Sequence, residues 1–300
     1  MVRIPTAPLN GPLQIAGAVA KQLHRHPVAI RTHFDHSLVL TWAFRPEVLV
    51  EYLVDGLTLD TYTGADGVAW GFAAVAVVKL NRLRPAFAPL SIGFSDVMVG
   101  YRVFCTMQVP RGRRRGPGSG PTREGKAQDH QLTLRGLRIV GSRTTNRLLQ
   151  FGANASTRYS YGRMSSQLEQ VGQVLEVQLR TEDHSADLTA RAYLDRPDLP
   201  AGSVFADARE ARRFAGPLPY TFSPDPDGIV VVEADRNRWV PAPVAVEVDE
   251  ATFFDHGPFA GAERRLSNAF YLTDVDYGWR PGRLYRVGNT SAPWQTTVVR

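Results

Sequence analysis

Four side chains that alternate along "FSDVMVGYRV" have the makings of a site. Asp96, Met98, Gly100 and Arg102 take every second position, so on an extended strand they share one face. Facing inward, a carboxylate and a guanidinium need partners or a wet cavity, because lone charges are expensive to bury. Facing outward, both are simply solvated, and Val97, Val99, Tyr101 and Val103 make the plainer buried face. A second stretch, "IVGSRTTNRLLQFG" (139–152), opens as a buried strand, passes through polar residues and closes on apolar ones and a glycine. Its Arg143, Asn146 and Arg147 suit a pocket mouth, since the planar fork of arginine matches a carboxylate. A solvated connection accounts for them equally well.

Other reactive residue types are thinly spread. His24, His26, His33 and His36 crowd together near Asp35, but metal ligands must converge, and this spacing matches no recognised zinc pattern. His33 and Asp35 on one strand face, joined by a third ligand, are the metal reading that stays open; no metal or other cofactor is assigned. The chain has three lysines, Lys21, Lys79 and Lys126. Lys79 ends the apolar run "AAVAVVKL"; buried, it would have a lowered pKa and act as a nucleophile, while at a strand end it reaches water. The single cysteine, Cys105, excludes internal disulfides and multi-cysteine zinc sites. "RYSYGR" (158–163) reads either as an anion or nucleic-acid patch or as an alternating exposed face. The chain carries no G-x-S-x-G elbow, phosphate loop or dinucleotide fingerprint.

These residues must be held by strands. "HSLVLTWAF" from His36, "LTLDTY", the apolar Val68–Leu80 run and "FSDVMVGYRVFCTMQV" all have β-branched and aromatic content. Asp66-Gly67 suits a hairpin turn. "LTLRGLRIVGS", "STRYSYGRMS", "GQVLEVQLRT" and "ADLTARAYL" continue the series, and five more strands run from "YTFSP" to "RLYRVG". Only two helices interrupt it: one starting at Pro46 and stopped by Gly56, the other in "SVFADAREARRFAG", with Ser203 as cap and Gly216 as stop. Strands that follow strands directly give mostly antiparallel sheets, closed into a barrel or packed as a pair. The fold class is therefore α+β and β-rich, one domain over 1–300, with an irregular lead-in (1–30) and a flexible basic insertion (111–130).

Of the 300 residues, 43% are hydrophobic and 21% charged, with net charge +6. Much of the excess sits in "RGRRRGPGSGPTREGKAQDH", where no aromatics are interleaved to stack on bases. Nucleic acid is thus not an expected partner. The longest apolar run falls well short of the ~20 residues a membrane span needs. Prolines break the N-terminal apolar segment, and a cytoplasmic location is the expectation.

The sequence resembles the acetoacetate decarboxylase-like superfamily, nearest to the bacterial branch called domain of unknown function 2071. The likeness is carried by "HSLVLTWAFRPEVLVEYLVDGLTLDTYTGADGVAW", "FSDVMVGYRV", "RTTNRLLQFG", "AGSVFADAREARRFAGPLPYTF" and "FYLTDVDYGW". It implies a cone-like antiparallel β-barrel around a small-molecule cavity, with helices outside. Decarboxylases of that superfamily use a lysine that forms a Schiff base, activated by a second lysine, between two glycines eleven positions apart. Aligned on Gly141 and Gly152, the reactive lysine falls on Leu149 and its neighbour on Gln150; an arginine ahead of the first strand falls near Asp35. The resemblance therefore implies a cavity for a small, anionic organic molecule without imine chemistry. Asp35, Asp96, Arg102, Arg143, Asn146, Leu149 and Gln150 are its candidate lining, and an oligomer is compatible with it. The competing expectation is a carboxylate- or metal-dependent lyase or hydrolase acting on a keto acid through Asp35, Asp96 and His33.

Overall fold

The computed structural model describes residues 22–110, 131–236, 239–286 and 296–297. The basic insertion 111–130, most of the lead-in, Lys21 and Lys126 lie outside the described residues. Strand β1 (Ile30–Phe44) passes through helix α1 (Pro46–Val50) to β2 (Leu57–Leu59), β3 (Tyr62–Thr63) and β4 (Ala69–Pro85). Then come β5 (Phe94–Pro110), β6 (Gln131–Thr144), helix α2 (Arg147–Ser156) and β7 (Tyr161–Arg163). Next are β8 (Ser165–Val171), β9 (Val174–Arg180), β10 (Leu188–Tyr193) and helix α3 (Ala208–Ala215). The chain continues with β11 (Tyr220–Asp225), β12 (Gly228–Arg236), β13 (Ala242–Pro243) and β14 (Ala245–Ala251). It ends with β15 (Arg264–Trp279), β16 (Arg283–Tyr285) and β17 (Thr296–Thr297). No described helix is long and apolar enough to cross a membrane.

The main sheet runs β13-β15-β1-β4-β5-β6-β11-β12-β16-β17. Strand β12 also pairs with the far end of β15, Arg236 opposite Tyr277, so the sheet curls until its flanks meet. Its pairings are antiparallel except where β6 meets β7 and β11. The second sheet, β14-β10-β9-β8, packs on the convex side. The two faces of β4 show how one strand serves both sides. Val75 and Val77 join Val99, Val103, Leu175 and Val177 in the core between the sheets. Ala74, Ala76 and Val78 look into the concave side. An apolar strand covered on both faces is what the unbroken Val68–Leu80 run predicts.

The structure departs from the sequence reading in several places: Arg147–Ser156 is a third helix, Ser165–Val171 is a further strand, and α1 ends at Val50 with Glu51 as its C-cap, short of Gly56. Two further boundaries shift. Strand β1 begins at Ile30 rather than His36, because polar residues at its start are tolerated where Phe34 stacks on Tyr277, ring centroids 4.5 Å apart. Helix α3 is capped by Asp207 and not Ser203. The Asp207 side chain accepts from Glu210 N, and Glu210 accepts from Ala206 N, one residue before the cap, a variant of the capping box. Ser203 instead donates its hydroxyl to Ser267 O.

Candidate functional site

The concave face of β1, β4, β5 and β6 walls a cavity of about 370 Å³. Strand register builds the wall in rows. Val39, Ala76, Gly100 and Ser142 stand abreast across the four strands. The next row on one side is Ala74, Arg102 and Ile139. On the other side come Ser37, Val78 and Met98, then Phe34 beside Leu80. Helix α2 covers the open side with Leu148, Leu149 and Gly152, and Tyr159, Tyr161 and Tyr277 complete the lining. The mouth lies where lining residues meet solvent: Leu148 is 72% exposed and Phe94 46%.

Arg102 is the deep polar group. No ion pair or hydrogen bond reaches its guanidinium from any described residue, and its Nε is buried without a partner. Burial holds its pKa below the ordinary arginine value, partly opposed by Tyr277, Tyr161 and Tyr159 nearby. Even so, an arginine stays charged in a protein. Gly100 makes room for it: a Cβ there would lie 3.2 Å from Arg102 Nε and 3.5 Å from Nη2. The guanidinium therefore folds over position 100, the next cavity-facing position toward the mouth. No Asp or Glu among the described residues lines the cavity, while Arg236 and Arg84 do. Arg236 donates to Pro217 O at 3.2 Å and lies over the Trp239 ring. His26 also lines the cavity, and burial pushes its pKa down to about 4.

Of the seven candidate lining residues, Arg102 and Leu149 meet at this cavity and the others do not; Met98, Gly100 and His26, also singled out from sequence, line it as well. Leu149 faces inward from the first turn of α2 and is 9% exposed. Gln150, beside it, turns away and donates Nε2 to Tyr161 O at 3.0 Å. Asn146 caps α2, its side chain accepting from Leu148 N and Leu149 N at 2.9 and 3.1 Å. Asp96 is fully engaged: the hydroxyls of Thr144 and Thr145 donate to it, as do Val97 N at 2.8 Å and Thr145 N at 3.2 Å. It fastens the end of β6 to β5. Asp35 accepts from Asn81 Nδ2 at 3.1 Å outside the cavity. Arg143 lines a separate, more open hollow with Arg163 and Asp183. His33 sits between Asp274 and Asp276, apart from Asp35 and Asp96. Among the described residues no group of three or more His, Cys, Asp or Glu is placed to hold a metal ion. Lys79 faces the other side of β4, since Val78 and Leu80 line the cavity and it does not.

Sequence reasoning missed the tyrosines and Arg236. The alternation in "RYSYGR" was the available signal for Tyr159 and Tyr161, whose hydroxyl-bearing faces turn inward together. Arg236 and Tyr277 carried no local signal, because they meet only through the pairing of β12 with β15.

A curled, largely antiparallel sheet with one wall of a cavity on its concave face and a helix across the opening is the acetoacetate decarboxylase-like fold. Acetoacetate decarboxylase from Legionella pneumophila is similar over 89% of this chain and 90% of its own, at 11% identity and a TM-score of 0.52. The enduracididine biosynthesis enzyme MppR, complexed with the condensation product of pyruvate and imidazole 4-carboxaldehyde, matches over 86% and 89% at 14% identity, TM-score 0.49. An acetoacetate decarboxylase-like enzyme from Sphingomonas wittichii matches over 89% and 94% at 16% identity, TM-score 0.47. Likeness at these identities speaks to the fold alone. No protein-family model matches the sequence, and no curated protein does.

Proposed function

We propose that the cavity binds a small organic acid through Arg102, and that any reaction it supports proceeds without a Schiff base. The observation behind this reading is the Arg102 guanidinium, charged, deep-set and, among the described residues, without an ion-pair partner or acidic lining around it. A buried cation without a partner is destabilising, and a ligand carboxylate is a partner matched to its planar fork. The position onto which the resemblance maps the reactive lysine is Leu149, which offers hydrocarbon to the cavity. Lys79 points elsewhere. The alternative, a lyase or hydrolase using Asp35, Asp96 and His33, needs those groups together, and none of them lines this cavity.

Thermal-shift and calorimetric titration with short carboxylic and keto acids, against the matching amides and alcohols, tests the reading. A stabilisation specific to the acids and lost in Arg102→Met is expected. Equal stabilisation by the neutral analogues, or none by any acid, overturns it. Borohydride reduction in the presence of acetoacetate should leave no covalent adduct; an adduct on any lysine would restore the imine route.

A further inference from the structure

We propose that the ligand of this cavity is an amphipathic monocarboxylate, its head on Arg102 and an apolar body running from there along the sheet wall to the mouth. This deepens the organic-acid reading and rests on it. The first observation is the composition of the rows. From the level of Gly100 outward, the sheet presents Ala76, Val39, Val78, Met98, Leu80 and Phe34 to the cavity, with serines only at 37 and 142. A polar molecule would find few partners along that path, whereas an aliphatic or aryl body fits it. The second is direction. With its Nε near the place a Gly100 Cβ would occupy, the guanidinium is turned toward the mouth. A ligand entering along the strands meets the charged group end-on, head first.

The third observation is the character of the mouth. The apolar lining does not stop inside but continues to Leu148 and Phe94 at the surface, so a tail longer than the chamber has an apolar side to leave by, next to Arg84 and Arg236 of the same lining. The fourth is size. At roughly 30 Å³ per water, a cavity of about 370 Å³ holds on the order of a dozen water-sized volumes. Acetate or pyruvate would fill only part of it and leave apolar wall uncovered. Aromatic rings also flank the body's path: Phe34 stacks on Tyr277, and Trp239 and Trp279 lie 5.1 and 4.9 Å from Tyr277. One head is favoured over two because the other guanidiniums of the lining are engaged, Arg236 with a backbone acceptor and an aromatic face and Arg84 with Ala88 O and Arg82 O, whereas Arg102 has no such partner among the described residues.

The test is calorimetric titration of the full chain with straight-chain carboxylates from acetate to decanoate. Octanol, octylamine and the eight-carbon dicarboxylate suberate serve as controls. Affinity is expected to rise by up to about fourfold per added methylene, then level off rather than collapse once the chain reaches the mouth. Octanol, octylamine and suberate should each bind at least tenfold more weakly than octanoate. Ala76→Leu, which adds bulk to the middle of the wall, should weaken octanoate by a larger factor than propionate. If that variant does not fold, the chain-length series on the unaltered protein decides alone. Acetate binding as tightly as octanoate removes the apolar body and leaves the organic-acid reading standing. Octanol or suberate matching octanoate removes the single charged head. Failure of every acid, short or long, removes both readings.

Discussion

Arg102 is a buried charge with no ion pair to any described residue, and nearby tyrosines offset it only in part. Its desolvation is the main reason its pKa lies below the usual arginine range, and no described carboxylate offsets it. The side chain should therefore be kept at a cost to stability. Arg102→Met, which retains most of the volume and removes the charge, is expected to stabilise the ligand-free protein by about 1–3 kcal/mol. Urea unfolding with an unchanged m-value would measure this; a less stable variant would mean the guanidinium has compensation that the geometry does not show. Strand alternation was enough to put Asp96 and Arg102 on one side of "FSDVMVGYRV". It was not enough to separate their fates. Asp96 is claimed by Thr144 and Thr145, residues brought to it by the pairing of β5 with β6, and nothing local in the sequence announces that pairing.

Helix α2 is the element that most changes the sequence reading. The stretch from Ile139 was legible as a strand, but its second half read as a connection, because Gly152, Asn154 and Ser156 are poor helix formers and mask the turns between them. What starts the helix is Asn146, an amide in extended conformation whose oxygen takes two backbone donors. The cap has a functional consequence, since the residue two positions into the helix and the one after it are Leu148 at the mouth and Leu149 inside. Asn146→Ala is expected to lower stability by about 1 kcal/mol and to speed amide exchange at Leu148 and Leu149, whose donors it frees. Thermal unfolding with site-resolved hydrogen exchange checks both. Exchange unchanged at those two amides would show that α2 is held from elsewhere, by Asp96 for instance.

Over the whole molecule, the succession of strands made antiparallel sheets readable, and the apolar run in β4 revealed a strand covered on both sides. The curl was expected, as a barrel or cone, from the resemblance; its seam was not readable, for it depends on β12 meeting β15 across a long stretch of chain. The seating of the segment around His26 was equally hidden. His26 N donates to Ser156 O at the end of α2, and Gly282 N donates to His26 O, so one residue ties the helix to the far end of the sheet. Burial holds the folded-state pKa of His26 near 4, against 6.5 for the ordinary group. As pH falls through 6.5 the unfolded chain takes up a proton that the folded chain refuses until about 4. The stabilisation is complete above that window and is lost on descending through it, up to about 3 kcal/mol. Unfolding free energies at pH 7.5 and pH 5 should differ more in the unaltered protein than in His26→Asn, which keeps a residue type tolerant of the positive φ of 54°. Equal differences in the two would assign the acid sensitivity to other groups.

The inward tilt of Leu149 has a last implication, for how catalysts diverge. A pre-shaped cleft lined by the Arg102 guanidinium lies one substitution away from an amine. In Leu149→Lys the new ammonium would enter low-dielectric surroundings, which favour its neutral, nucleophilic form, and reductive trapping with a keto acid would reveal whether the scaffold alone can awaken it.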